Sequence, residues 1–147
     1  MSQYKKILVA LDLTKDSAKI VDKARAVAKQ NDDAEISLMH VIEPIAVGYA
    51  VEVTSVDIEG LHEEVTQQAK STLNELGSNI GIPDHRLHTV LGQPAREIRE
   101  LAKKVDADLV IMGGHGRHGW ELLFGSTSTG VSHGLDCDLL IVHIDED

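Results

Sequence analysis

Aliphatic side chains gather along this chain in short, nearly unbroken runs: KILVAL at 6–11, ISLMHVI at 36–42, LVIM at 109–112 and LLIVHI at 139–144. Alternation would mark a strand with one wet face. Continuous runs mark strands covered on both faces, as in a parallel sheet with helices above and below. RLHTVL at 86–91 is a weaker fifth run whose polar interruptions suit an edge. Helical stripes fill the intervals. After Thr14, expected as an N-cap, Ile20, Val21, Ala24, Val27 and Ala28 repeat with a 3.6-residue period. Ile58, Leu61, Val65, Ala69, Thr72 and Leu76 make a second stripe that closes near Gly77 and Gly81. A third opens on Pro94 and continues through Ile98, Leu101, Ala102 and Val105. The fourth, STSTGVSHG at 126–134, has poor helix propensity, so something else must hold it.

Strands alternating with helices predict an α/β fold, an open doubly wound parallel sheet of five strands with helices on both faces and right-handed crossovers. With 147 residues and 16.0 kDa the chain fits one domain, residues 1–147. Only the stretch from Glu43 to Val56 reads as a long irregular loop, a length often tied to function. Aromatic residues make up only 3% of the chain, so the core must be aliphatic.

Charge narrows the partners. Twenty-four acidic against 14 basic side chains give a net charge of -10, and no block of Lys and Arg could neutralise a row of phosphates, which argues against nucleic acid. Cys137 is the single cysteine, so no internal disulfide can form. No apolar run reaches the ~20 residues of a membrane span or follows a basic leader, and a soluble cytoplasmic protein without membrane insertion is expected.

Six of the 12 glycines fall within GGHGRHGWELLFGSTSTG, 113–130. Glycine is favoured where the backbone turns left-handed or approaches a ligand closely. GHGRHG at 114–119 matches the dinucleotide pattern G-x-G-x-x-G, but it follows the fourth strand instead of the first, so that reading fails. No phosphate-loop G-x-x-x-x-G-K-[ST] occurs. A different arrangement fits: two glycine clusters separated by the amphipathic turn RHGWELLF. Folding back of that turn would bring the N–H groups of Gly113 to Gly116 toward those of Gly125, Ser126 and Thr127 at a helix start, an arrangement suited to phosphate. Arg117 could serve phosphate oxygens from the rim. Tight turns and a helix cap remain the plain alternative for the same residues.

Taken together, YKKILVALDLT, LMHVIEP, LGQPAREI and DADLVIMGGHGRHGWELLFGS with CDLLIV resemble the universal stress protein family over nearly the whole chain. The resemblance implies a five-stranded parallel sheet in the order 3-2-1-4-5 and, in many members, ATP or AMP bound through G-x-x-G, nine residues, then G-[ST]. Gly113 to Gly116 match the first part and Gly125-Ser126 the second, with eight residues between, Arg117 to Phe124. Carried over by motif, Asp12 would hold the ribose or base edge and Val41 would meet adenine through its backbone. Gly113, Gly116, Ser126 and Thr127 would face ribose and phosphates, and Ala10, Leu11, Met112, His115, Arg117, Gly125 and Ser128 complete the expected set. Mg²⁺ would accompany ATP. In such a sheet the topological switch point lies between strands 1 and 4, where Asp12 and Gly113 end their strands.

No catalytic or metal-binding residue is expected. Asp12 has no neighbouring acid or base in sequence, and an aspartate there often caps the next helix; His115 and His118 lack a third ligand of clear spacing; Cys137 reads as a packed thiol. The expected protein is therefore an adenine-nucleotide-binding stress regulator and not a fast enzyme, with slow ATP hydrolysis as the upper bound. A ligand-free dimeric scaffold on the same fold is the alternative. The apolar edge from Leu139 to Ile144, free of charge and proline, is expected to join a homodimer.

Overall fold

Five parallel strands form one sheet in the order β3-β2-β1-β4-β5 in the computed structural model, which describes residues 3–44, 58–115 and 128–144. In chain order the elements are β1 (Lys6–Ala10), α1 (Ser17–Gln30), β2 (Glu35–Ile42), α2 (Ile58–Asn79), a 3-10 turn (Asp84–Arg86), β3 (Leu87–Leu91), α3 (Pro94–Lys104), β4 (Leu109–His115), α4 (Ser128–Gly134) and β5 (Asp138–Ile144). The aliphatic runs thus become strands, and the polar fifth run becomes the edge strand β3, as expected.

Central β1 pairs with β2 through Lys6 to Ala10 and with β4 through Ile7 to Ala10. Its side chains alternate between two cores, which is why its sequence has no polar face. Ile7 and Val9 join Ile20, Val21, Ala24 and Leu73 on the side of α1 and α2. Leu8 joins Met39, Ile98, Leu101 and Val131 on the side of α3 and α4.

Two local expectations change, and a third finds its cause. Thr14 does not cap α1: Asp12 Oδ1 accepts from the Thr14 N–H at 3.1 Å and from its hydroxyl at 2.8 Å, so Thr14 opens a turn and the cap position falls to Asp16. The second stripe is shifted, because Leu73 with Ala69 forms the buried contact while Leu61 and Val65 are 41% and 44% exposed. The weak fourth helix is held by packing. A Cβ on Gly130 would lie 2.8 Å from the Ala95 Cβ, Arg99 Nη1 donates to the Gly130 carbonyl at 2.6 Å, and Val131 is fully buried. Glycine there allows α4 to lie close against α3.

Candidate functional site

Where β1, β2 and β4 end, their last residues surround a cleft of about 320 Å³. Ala10 and Leu11 come from the end of β1, Val41 from β2, and Met112 and Gly113 from β4, with Asp12 just beyond β1. These six expected residues meet in one place. Proximity follows from register: Ala10 pairs with both Met39 and Met112, so β1 stops three residues short of β2 and β4, and the cleft opens beyond its end between them.

Gly113 explains how α1 closes one wall. A Cβ at this position would stand 2.6 Å from Ile20 Cδ1, and Ile20 is itself buried and lines the cleft. Its lack of a side chain is thus first a packing requirement between β4 and α1, and second the reason the cleft is open at that point. Of the other expected residues, His115 ends β4 opposite Ile144 and Ser128 opens α4. Their side chains lie outside the described residues, as do Gly116, Arg117, Gly125, Ser126 and Thr127.

Seven lining residues were not expected at the site: Asp16, Ile20, His40, Glu43, Pro94, Ile98 and Ile144. They arrive from six different elements or loops, so no local motif could have gathered them. His40 is the most informative. Its Nδ1 lies 2.7 Å from the Leu11 carbonyl oxygen, and since a carbonyl only accepts, Nδ1 carries the proton. Leu11 N–H donates in turn to the Met39 carbonyl at 2.9 Å. Both backbone groups of Leu11 are therefore held from β2, while Leu13 turns the chain away with a left-handed φ of 60°. Asp12 projects from this fixed turn, exposed at the mouth.

The cleft is apolar at its floor, from Ala10, Val41, Ile98 and Met112, and acidic at its margin, from Asp12, Asp16 and Glu43. No Lys or Arg lines it among the described residues. Such a cavity suits a flat, largely apolar body with polar edges better than it suits an anion. Among the described residues no group of three or more His, Cys, Asp or Glu could hold a metal ion.

The groups whose titration departs from the ordinary lie elsewhere. Burial pushes the His88 ring down, assisted by Lys104 and His85. Burial, then the carboxylates Asp138, Asp108 and Asp136, push the half-buried Cys137 thiol up, which keeps it protonated and unreactive. Tyr4 is raised chiefly by the hydrogen bond its hydroxyl donates to Asp138 at 2.7 Å.

The sequence profile of the universal stress protein family matches residues 3–143. The chain belongs to that family. Universal stress protein A homolog 2 of Coxiella burnetii is 43% identical over 149 residues, covering 98% of this chain and 98% of the relative. A universal stress protein solved in complex with cAMP is 26% identical and superposes with a TM-score of 0.62, over 97% of this chain and 98% of its own. Hypothetical protein MJ0577 superposes with a TM-score of 0.75 at 22% identity, over 98% of this chain and 99% of its own, and supports the universal stress protein fold alone. Among the described residues no helix is long and apolar enough to cross a membrane.

Proposed function

We propose that this universal stress protein is a single nucleotide-binding domain that takes ATP or AMP into the cleft at the ends of β1, β2 and β4, with Mg²⁺ accompanying ATP. The carrying observation is the convergence there of Ala10, Leu11, Asp12, Val41, Met112 and Gly113 around an apolar floor. The cAMP complex of a relative with the same fold supports an adenine nucleotide as the ligand class. Base and ribose would fill the described cleft, with Asp12 at the ribose or base edge. Its acidic margin would repel phosphates, so these would extend toward Gly116, Arg117, Gly125, Ser126, Thr127 and Ser128. Bound nucleotide would supply a signal of cellular state to a regulatory module, with slow ATP hydrolysis as the upper bound on turnover.

The same reading includes a cytoplasmic homodimer joined through Leu139 to Ile144. Its support is that β5 lies at the sheet edge with Leu139, Leu140 and Ile141 only half buried, an arrangement that invites strand pairing. Ile141→Lys should give a monomer in sedimentation; an unchanged dimer would place the interface elsewhere.

Calorimetric titration with millimolar ATP and AMP tests the ligand. Saturable heat that disappears in Gly125→Glu, in protein of unaltered circular dichroism, is the expected result. Absence of heat from the folded wild-type protein would favour the ligand-free scaffold.

A further inference from the structure

At the opposite rim of the sheet a second pocket of about 370 Å³ opens between the last two turns of α1, the start of β2 and the segment leading into β3. Three cations line it, Arg25, Lys29 and Arg86, above a floor of Ile36, Ile80 and Ile82. In a chain of net charge -10 that concentration of positive charge is unusual. Lys29 in the last turn of α1 complements the helix dipole, but this role requires neither Arg25 nor Arg86.

The cations are incompletely used within the fold. Arg25 and Lys29 take part in no ion pair among the described residues. Arg86 is steadied by Glu35, its Nη1 lying 3.2 Å from Glu35 Oε1, while its Nε is shielded from water without a hydrogen-bond partner. Arg86 is thus a positioned charge with an unpaired Nε, and Arg25 and Lys29 are exposed charges lining the same pocket. Asp33 in the lining and Glu35 on the rim offset two of the three charges, leaving a surplus of one.

We infer that this pocket is a binding site for a small organic acid carrying one carboxylate on a hydrocarbon body. A single surplus charge suits a carboxylate better than a doubly charged phosphate. Buried isoleucines require an apolar body that a bare inorganic ion lacks, and the volume falls in the lower part of the range of about 300–1,000 Å³ for small-molecule sites. Planar guanidinium donors match a carboxylate in a bidentate fashion. The site lies at the amino ends of the strands and is independent of the nucleotide reading.

Hexanoate is a suitable probe, with hexan-1-ol and inorganic phosphate as controls, followed by amide shifts of the full-length ¹⁵N-labelled protein. Saturable shifts at millimolar hexanoate should centre on Ala26, Ala34 and Gly81 and be absent with either control. Arg86→Met should weaken the affinity about tenfold or more, the loss of one charged contact. Arg25→Gln with Lys29→Gln, both at exposed helix positions that do not endanger folding, should do likewise. The inference is overturned by an absence of saturable shifts, by affinity unchanged in the double variant, or by phosphate binding the same amides as tightly as hexanoate. Equal binding of hexan-1-ol would overturn it too, since the cations would then contribute nothing.

Discussion

The two ends of β1 are built differently. At the amino end the backbone is tied down from three sides. Asp108 accepts from the Lys5 and Lys6 N–H groups at 2.8 and 3.1 Å, and Asn31 Oδ1 accepts from Gln3 and Tyr4 at 2.8 and 3.1 Å. Tyr4 in turn reaches Asp138 at the start of β5. At the carboxyl end β1 stops short of its two neighbours and leaves a cleft, with Leu11 secured by β2 and Asp12 projecting beyond it. In an open parallel sheet the crevice at the topological switch point lies beyond the carboxyl ends of the strands, so the amino end of β1 is free to take the cross-links that fix it. One strand therefore carries stabilising cross-links at one end and, in the proposed function, recognition at the other.

That division can be broken or sharpened by four changes. Asp108→Ala should have the largest effect, lowering unfolding free energy by about 3 kcal/mol through the loss of two charged hydrogen bonds, while ATP affinity stays unchanged. Denaturant titration and calorimetry on the same sample would check both halves. Gly113→Val should cost about 2 kcal/mol by forcing Ile20 away, and should also block the cleft. It is the one position where the division fails by design, and a loss of binding with stability intact would show that α1 yields more easily than its packing implies. Asp12→Ala should weaken nucleotide binding by about tenfold, or about 1.4 kcal/mol, with a smaller loss of stability from the Thr14 turn. An affinity equal to that of the wild type would remove Asp12 from the recognition end. His88 on edge strand β3 belongs to neither end and gives the smallest effect. Because burial lowers its titration below the ordinary 6.5, the unfolded chain takes up the proton first as pH falls, and stability declines from about 6.5 down to the folded value. His88→Gln should flatten that part of the pH profile, measurable from urea midpoints on either side of 6.5.

The strands were legible because double-sided burial writes a continuous aliphatic run, and the polar edge β3 was legible because its interruptions break one. α2 was harder. Its apolar positions repeat with a helical period whether or not a sheet lies beneath them, so periodicity alone could not tell buried Leu73 from exposed Leu61 and Val65. Thr14 has the chemistry of a cap, but its hydroxyl bonds to Asp12, a competition invisible without coordinates. At the cleft, residues ending strands were legible from motif and topology, whereas His40, Asp16 and Glu43 were not, because they come from separate segments that only the fold brings together. Glycine content was a mixed message: Gly113 and Gly130 both allow close packing, against Ile20 and Ala95 respectively.

The order of the strands in space also bears on how the chain is made. β1 can pair with β2 as soon as residue 42 has emerged, but its other side waits for β4, which begins at Leu109. Asp108, which pins Lys5 and Lys6, arrives at the same moment. Contacts so distant in sequence form slowly, and until they form the nascent polypeptide presents the bare edge of KILVA, its most aliphatic strand, to the ribosome's surroundings. The interval spent synthesising α2, β3 and α3 is thus the period in which this protein is most in need of a chaperone.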